Sequence, residues 1–483
     1  LDAPRSIDMA LVAAQEGRRV LDRFCGYMVS GPLSNAAGQK LSAGRVQSPA
    51  VRLVVERERE IQEFRSTTHY GAELTFENVD NITDGWKAAW QNKPWLPDSA
   101  DGQEYLLDKA LAEKAAALRS LEVLDCKESE SRSAPPAPFT TSSLQQAASN
   151  ALKFTPKQTM QLAQKLYEGG HITYMRTDSP NLSQDAVNAI RVFCEGQGWP
   201  LVEKPRTWKS KEGAQEAHEA IRPTHIEVEE AGETVDEKAL YRLIRLRSLA
   251  SQLEDAVYAV RILQLGADLD GKQALFEAKG RTLLSSGWKI LTAEDAATED
   301  AEDSAEPENP VPAMKPGTRP TALSGAVLTK KTKPAPRFTE ASLVRELERC
   351  GIGRPSTYAA ILDTIMSRGY VKTEKRFLVP TPLGVMVVDR LCWHFAFMDY
   401  EFTRNMEQAL DDIACGKSLY KAVIAAAHAQ LEQELQAFSK ATGKVCLKCG
   451  KSMVHRVKKR SKDGKGGYDF WGCSGWPECS EKV

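Results

Sequence analysis

Apolar positions along the chain recur with two different periods, and the period changes four times. Over residues 6 to 30, Leu11, Val12, Val20, Leu21, Phe24 and Tyr27 fall at helical spacing. A small-residue stretch from Leu41 to Arg52 then leads into a strongly charged helix ending near Phe64. From residue 68 to 126 the period shortens to two, most clearly in Tyr70 to Phe76 and again in Leu121 to Leu124, until Pro135, Pro136 and Pro138 mark a boundary. Helical spacing returns at the cap-rich Thr141-Ser142-Ser143-Leu144. Thr155-Pro156 then opens a helix in the N-cap, proline order, and Gly169-Gly170 stops it. His171 to Met175 reads as a short strand, and Ser183 caps a further helix through Phe193.

Residues 253 to 291 alternate once more, through Tyr258, Val260, Ile262, Leu263 and Leu265, with Asp270-Gly271 as a hairpin turn. We expect them to pair with the strands of 68 to 126, which makes the helical block between them an insertion in a β domain. Residues 338 to 382 read as helix, turn, helix and wing. Thr339 caps the first helix, Gly351 to Pro355 form the turn, and Ser356 caps Tyr358 to Arg368. Tyr370 to Val379 make a hairpin, and a helical tail continues to about 440. The expectation is therefore a mixed α and β multidomain chain. Its segments are helical, 1–67; β-rich, 68–135; helical, 136–254; β-rich with an acidic loop, 255–330; winged-helix-like, 331–440; and a cysteine-bearing tail, 441–483.

With 483 residues there is room for several buried cores, and no apolar run approaches a membrane span. The start shows no signal-peptide pattern, so a cytoplasmic setting without a membrane partner is the expectation. The net charge of −1 conceals an asymmetry: Glu294 to Glu308 holds eight acidic residues and no basic one, whereas the stretch from Lys444 to Lys465 is markedly basic. A polyanionic partner stays compatible with overall neutrality.

Candidate chemistry lies on this framework in several places. On a strand, Tyr174 and Arg176 share one face, where a guanidinium favours a phenolate and can hold a phosphate oxygen. Tyr-x-Arg also fits an ordinary strand with a surface ion pair. Arg18, Arg19 and Arg23 share much of a helix face. Gly44 with small Ser42 and Ala43 lets backbone approach a ligand, beside the donors Arg45 and Gln47. His218 is a proton donor or a structural helix residue. Arg354 and Thr357 sit at a helix N-terminus that favours phosphate. Cys446-x2-Cys449 and Cys473-x5-Cys479 suit tetrahedral Zn²⁺ in a segment too small to fold without a staple; disulfides are the alternative. Aromatics Tyr468, Phe470, Trp471 and Trp476 interleave with lysines there, the composition of a single-strand binder.

Five long motifs, in order, resemble the bacterial type IA DNA topoisomerases of the topoisomerase I kind. They are Leu41 to Glu60, Pro138 to Ser142, Ile172 to Ser179, Ala217 to Pro223 and Gly351 to Tyr358. The four-cysteine tail resembles that family's zinc ribbons. The resemblance implies a toroidal core and ATP-independent relaxation of negatively supercoiled DNA through a 5′-phosphotyrosine. It implies Tyr174 as nucleophile, Arg176 on the scissile phosphate and His218 in the active site. It also implies single-strand contacts from Arg18, Arg19, Ser42, Ala43, Gly44, Arg45, Val46, Gln47, Arg354 and Thr357. The expected partner is single-stranded or negatively supercoiled DNA, bound by a nucleoid-associated monomer. One departure stands out: the family's Toprim domain, with an Asp-x-Asp-x-Glu cluster for Mg²⁺, has no match here. The 483 residues alone are expected to bind single strands without relaxing supercoils. Alternatives are a non-catalytic single-strand clamp and a tyrosine recombinase, although the latter places its tyrosine near the C-terminus.

Overall fold

The computed structural model describes residues 7–77, 85–96, 104–209, 219–291 and 309–442. In the tail it describes 446, 448–449, 453–458, 468–473 and 475–482. The acidic run 294–308 and His218 lie outside the described residues. Helix α1 (Met9–Arg23) is capped by the Asp8 carboxylate, which accepts from the N–H groups of Ala10 and Leu11. A π-helical turn, Phe24–Val29, carries it into α2 (Ser30–Ala37), which ends at Gly38 with φ 69°. The helix expected to end near residue 30 thus runs on to 37. Pro32 does not break it, because its missing N–H falls in the first turn after the widened segment. Helix α3 (Gln47–Glu63) follows, then β1 (Thr68–Phe76), β2 (Trp86–Trp90), α4 (Lys109–Ala117) and β3 (Glu122–Ser133).

The helical insertion comprises α5 (Thr141–Ala151), α6 (Pro156–Glu168), α7 (Gln184–Gly196) and α8 (Val235–Ala250). Thr140, Thr155, Ser183 and Thr234 cap them with side-chain oxygens, each satisfying an otherwise orphaned N–H. The chain returns through β4 (Ala256–Leu269), β5 (Lys272–Ser285) and β6 (Ala322–Lys331). Asp270 and Gly271 both have positive φ, 54° and 80°, as a tight β4–β5 hairpin requires. Last come α9 (Glu340–Cys350), α10 (Tyr358–Ser367), β7 (Val371–Glu374), β8 (Phe377–Pro380), α11 (Pro382–Leu391), α12 (Tyr400–Ala414), α13 (Tyr420–Thr442), β9 (Met453–Lys458) and β10 (Tyr468–Cys473).

The six strands before α9 form one antiparallel sheet in the order β3-β4-β5-β2-β1-β6. Its core stacks Phe76 on Trp86 at 4.0 Å and buries Leu74, Leu121 and Phe276. Full burial of each such side chain stabilises by about 1.5–3 kcal/mol. Register explains the architecture. Thr68 pairs with Lys331, so the two base segments leave the sheet side by side; Ser133 pairs with Ala256, so the insertion leaves and re-enters side by side at the other end. The base is one body because both segments share a core: Val29, Leu33, Val51 and Val54 with Leu343, Leu347, Ile361 and Val387. The insertion nevertheless touches the base, α5 against α9 and α6 against α10. That contact closes the chain path into a ring. Among the described residues no helix is long and apolar enough to cross a membrane.

Candidate active site and DNA-binding surface

The segment from His171 to Ser179 is not a strand. Its one bridge joins Ile172 to Pro223, and its polar backbone is tied to two other segments instead of a sheet neighbour. The Thr141 hydroxyl accepts the Thr177 N–H at 2.9 Å and donates to the Met175 carbonyl at 2.8 Å. Thr141 N–H donates to the Thr177 carbonyl at 2.9 Å. On the other side Thr173 N–H donates to the Arg222 carbonyl at 2.9 Å, while Arg222 N–H donates to the Thr173 hydroxyl at 3.0 Å. Residues 139–142, 172–179 and 219–223 are thereby laced together, as Phe139 also bridges Ile221.

Alternation survives without the strand. Ile172, Met175, Thr177 and Ser179 are buried, whereas Tyr174 and Arg176 are exposed. The apolar residues dock in a core with Phe139, Leu144 and Ile221, which fixes the face that the intervening side chains present. Tyr174 is 38% exposed, its ring edge-on to Tyr167 at 5.4 Å. Arg176 has no ion pair among the described residues, which leaves its guanidinium available to an anion. Arg222 is different: it grips Glu219 with two bonds of 2.8 and 2.9 Å. Burial alone would raise the Glu219 carboxyl, but Arg222 and the Ser183 N–H hold it below the ordinary range. That pair is a structural strut beside the site.

Where the tyrosine block meets the base, Ser142 donates to Glu348 at 2.5 Å, Arg345 to the Gln146 carbonyl at 2.6 Å, and Lys157 pairs with Asp363 at 2.9 Å. The contacts named are polar. An interface of this kind separates at lower cost than an apolar core.

The basic residues of the base divide sharply. Arg45 is 3% exposed and turned inward, with Nη1 2.5 Å from Glu407 and Nε 3.2 Å from Asp22. Expected as a donor to DNA, this side chain is instead engaged by two carboxylates within the base. Ala43 and Gly44 are buried as well, and Ser42, Val46 and Gln47 are half-buried. The Ser42 N–H donates to the Tyr370 hydroxyl at 2.8 Å and the Gln47 side-chain carbonyl accepts from Arg368 at 3.2 Å. Arg18 and Arg354 are about one quarter exposed and both bind Asp411. Thr357, not Ser356, occupies the N-cap position of α10, and its hydroxyl accepts from the Arg354 N–H at 2.8 Å, closing the turn. Arg19 is exposed.

In the tail the ligand sulfurs of Cys446, Cys449, Cys473 and Cys479 lie within 4.8 Å of one another. Cys446 and Cys479 are 3.7 Å apart and Cys449 and Cys473 3.3 Å. Those separations exceed the ~2.05 Å of a disulfide and lie near the ~3.8 Å edge of a tetrahedron with Zn–S bonds of ~2.3 Å. The residues fit zinc.

A family model described as DNA topoisomerase matches residues 6–425. The chain belongs to the bacterial type IA DNA topoisomerases. It is 52% identical to the plasmid DNA topoisomerase I of Xylella fastidiosa strain 9a5c, over 99% of this chain and 72% of that protein. It is 39% identical to DNA topoisomerase 1 of Escherichia coli K12, over 98% of this chain and 54% of that one. Full-length topoisomerase I from Thermotoga maritima superimposes with a TM-score of 0.77 at 32% identity, covering 100% of this chain and 77% of its own. The chain thus spans about half to three quarters of these topoisomerases. Within the matched span, Glu348, Glu407 and Asp411 are residues that sequence reasoning passed over, whereas Thr141 and Glu219 lay inside quoted motifs without a role of their own. Glu407 and Asp411 left a signal, an i, i+4 acidic pair on one helix face.

Proposed function

We propose that these residues form the strand-cleaving and strand-gating part of an enzyme that relaxes negatively supercoiled DNA without ATP. The observation that carries the reading is the convergence of residues 139–142, 172–179 and 219–223, which fixes the backbone while leaving Tyr174 and Arg176 side by side in solvent. The Tyr174 oxygen attacks a backbone phosphorus, a 5′-phosphotyrosine bond forms, and the 3′-oxygen leaves with a proton. Reverse attack by that hydroxyl restores the strand. One phosphoester replaces another in each direction, so no nucleotide need be hydrolysed. Arg176 holds a non-bridging oxygen of the scissile phosphate and stabilises the charge that develops there. His218 is assigned to the same site by resemblance. Between cleavage and resealing, the insertion swings away from the base where Ser142–Glu348, Gln146–Arg345 and Lys157–Asp363 meet, and a second strand passes into the ring.

The family's Mg²⁺ comes with an Asp-x-Asp-x-Glu cluster that these residues do not contain, so no step is routed through that metal. Cys446, Cys449, Cys473 and Cys479 would hold zinc, which would staple the tail, and Trp476, 66% exposed there, is available for stacking on a base. A second reading is a single-strand clamp without catalysis. Topology gels separate the two. The 483 residues should bind single-stranded oligonucleotides without relaxing plasmid. Joined behind a Toprim domain of the family they should relax it, and Tyr174→Phe should abolish that. Continued binding without relaxation by the joined protein establishes the clamp.

A further inference from the structure

Helix α5 carries a contact between the tyrosine block and the base, and the polar side chains at its start are partnered with one exception. Thr141 serves Met175 and Thr177, Ser142 donates to Glu348, and Ser143 donates to the Thr140 carbonyl. Gln146 donates from Nε2 to Ser142 at 2.9 Å, and its side-chain carbonyl accepts from Arg345. Gln145 stands among them fully buried, and neither its amide nitrogen nor its amide oxygen has a hydrogen-bond partner among the described residues. At about 100° per residue, Gln145 projects between two stripes of the helix. One stripe, with Thr141, Leu144 and Ala148, faces the Tyr174 segment and the insertion's own core; the other, with Ser142 and Gln146, faces α9. Gln145 therefore sits at the edge of the seam where the insertion meets the base. An unbranched apolar side chain of the same length would fill that space without burying a donor and an acceptor.

On the reading of this seam as the gate, we propose that Gln145 is a positioning residue that weakens the closed ring, because its amide gains partners only when the insertion lifts and water enters the seam. The named bonds across the seam, Ser142–Glu348, Gln146–Arg345 and Lys157–Asp363, hold the closed arrangement in register. On opening, each of them exchanges for bonds to water, which changes the free energy little. Gln145 differs in kind. Its amide has no bond to lose on opening and both a donor and an acceptor to satisfy, so it acts in one direction only. The closed ring bears the full desolvation of that amide, and the open ring does not. A seam that must part and close again in every cycle is thereby kept from closing too firmly.

The test is thiol labelling of the full 483 residues with a cysteine placed at the seam. Ala341 is buried and lies one turn before Arg345 on the same stripe of α9, so Ala341→Cys should react with iodoacetamide when the seam opens. Native Cys194, buried in a core with Ile190 and Leu249, reports unfolding of the insertion itself. Peptide mass spectrometry reads both rates in one sample. In the Ala341→Cys parent the seam cysteine should be alkylated faster than Cys194. Adding Gln145→Met, which keeps the length and removes both polar ends, should slow the seam cysteine about tenfold, the scale of one buried amide left without partners. Gln145→Leu should act in the same direction. Unchanged or faster labelling of the seam cysteine in both variants, with cooperative urea unfolding retained, overturns the role of Gln145; an amide paired by an enclosed water would give that result. Equal rates for the seam cysteine and Cys194 in the parent would mean that the seam parts only on unfolding, and would overturn the gate reading along with it.

Discussion

Two segments of this molecule carry an arginine beside small or hydroxyl residues, and they use it oppositely. Residues 172–179 have their backbone laced to two neighbouring segments and their apolar side chains sunk in a core, so Tyr174 and Arg176 are delivered to solvent. Residues 42–47 run the other way: Arg45 points inward at Glu407 and Asp22, and much of the loop is covered. In the first, structure is made by backbone and hydroxyl groups and the charge is kept for a ligand. In the second, the charge itself is the structural element, tying the loop to α12. A cation in a glycine-bearing loop therefore tells that charge is needed, and the location of carboxylates decides whether a ligand receives it.

That contrast breaks if substitutions on the two sides have similar consequences. The largest functional effect belongs to Tyr174→Phe. In protein joined to a Toprim domain it should remove covalent attachment to DNA altogether, with stability in urea within about 0.5 kcal/mol of the parent, as for an exposed position. Glu407→Gln should do the reverse at the level of folding. It leaves Arg45 as a buried cation without its main partner and should cost roughly 3–5 kcal/mol by urea titration.

Acid should sharpen the second half. Burial alone would raise the Glu407 carboxyl, but Arg45, Arg18 and Arg354 outweigh it and hold the group below the ordinary carboxylate range. Its contribution to stability is complete above the unfolded-state pKa of about 4.3 and is lost as pH falls through the lower folded value. The stability gap between parent and Glu407→Gln should thus be constant above about pH 5.5 and narrow below about pH 4. A gap that widened in acid would mean that Glu407 is not held ionised.

A smaller effect tests the lacing of the tyrosine segment. Thr141→Val removes one hydroxyl that serves Thr177 and Met175, leaving a buried N–H and carbonyl short of a partner, and should cost about 1–3 kcal/mol. Hydrogen exchange should speed up first at residues 173–179, while amides of α12 stay protected. Smallest for the body of the protein is zinc removal. A chelator should collapse the protection of β9 and β10, yet move the unfolding midpoint of the remaining structure by less than Glu407→Gln does.

Much of the architecture was legible because apolar periodicity reports which face an element buries. The sheet pairing of 68–126 with 253–291, the inserted helical block, the Asp270-Gly271 turn, the caps at Thr155, Ser183 and Thr339 and the β7–β8 wing all follow from local signals of that kind. The failures are equally physical. His171 to Met175 alternates like a strand, but its hydrogen-bond partners come from Thr141 and Arg222, which no local pattern reveals. The run from α1 into α2 depends on a π turn that takes up Pro32. The inward turn of Arg45 depends on Glu407, some 360 residues later, and only the fold brings α12 beneath it. Carboxylate partners decide which cations face outward.

The most direct test of the central claim is the identity of the residue that becomes joined to DNA. With the chain behind a family Toprim domain, a 5′-linked oligonucleotide trapped by rapid denaturation and mapped by peptide mass spectrometry should be found on Tyr174. It should be absent from Tyr174→Phe. A DNA adduct on any other residue, or one that survives Tyr174→Phe, would contradict the account.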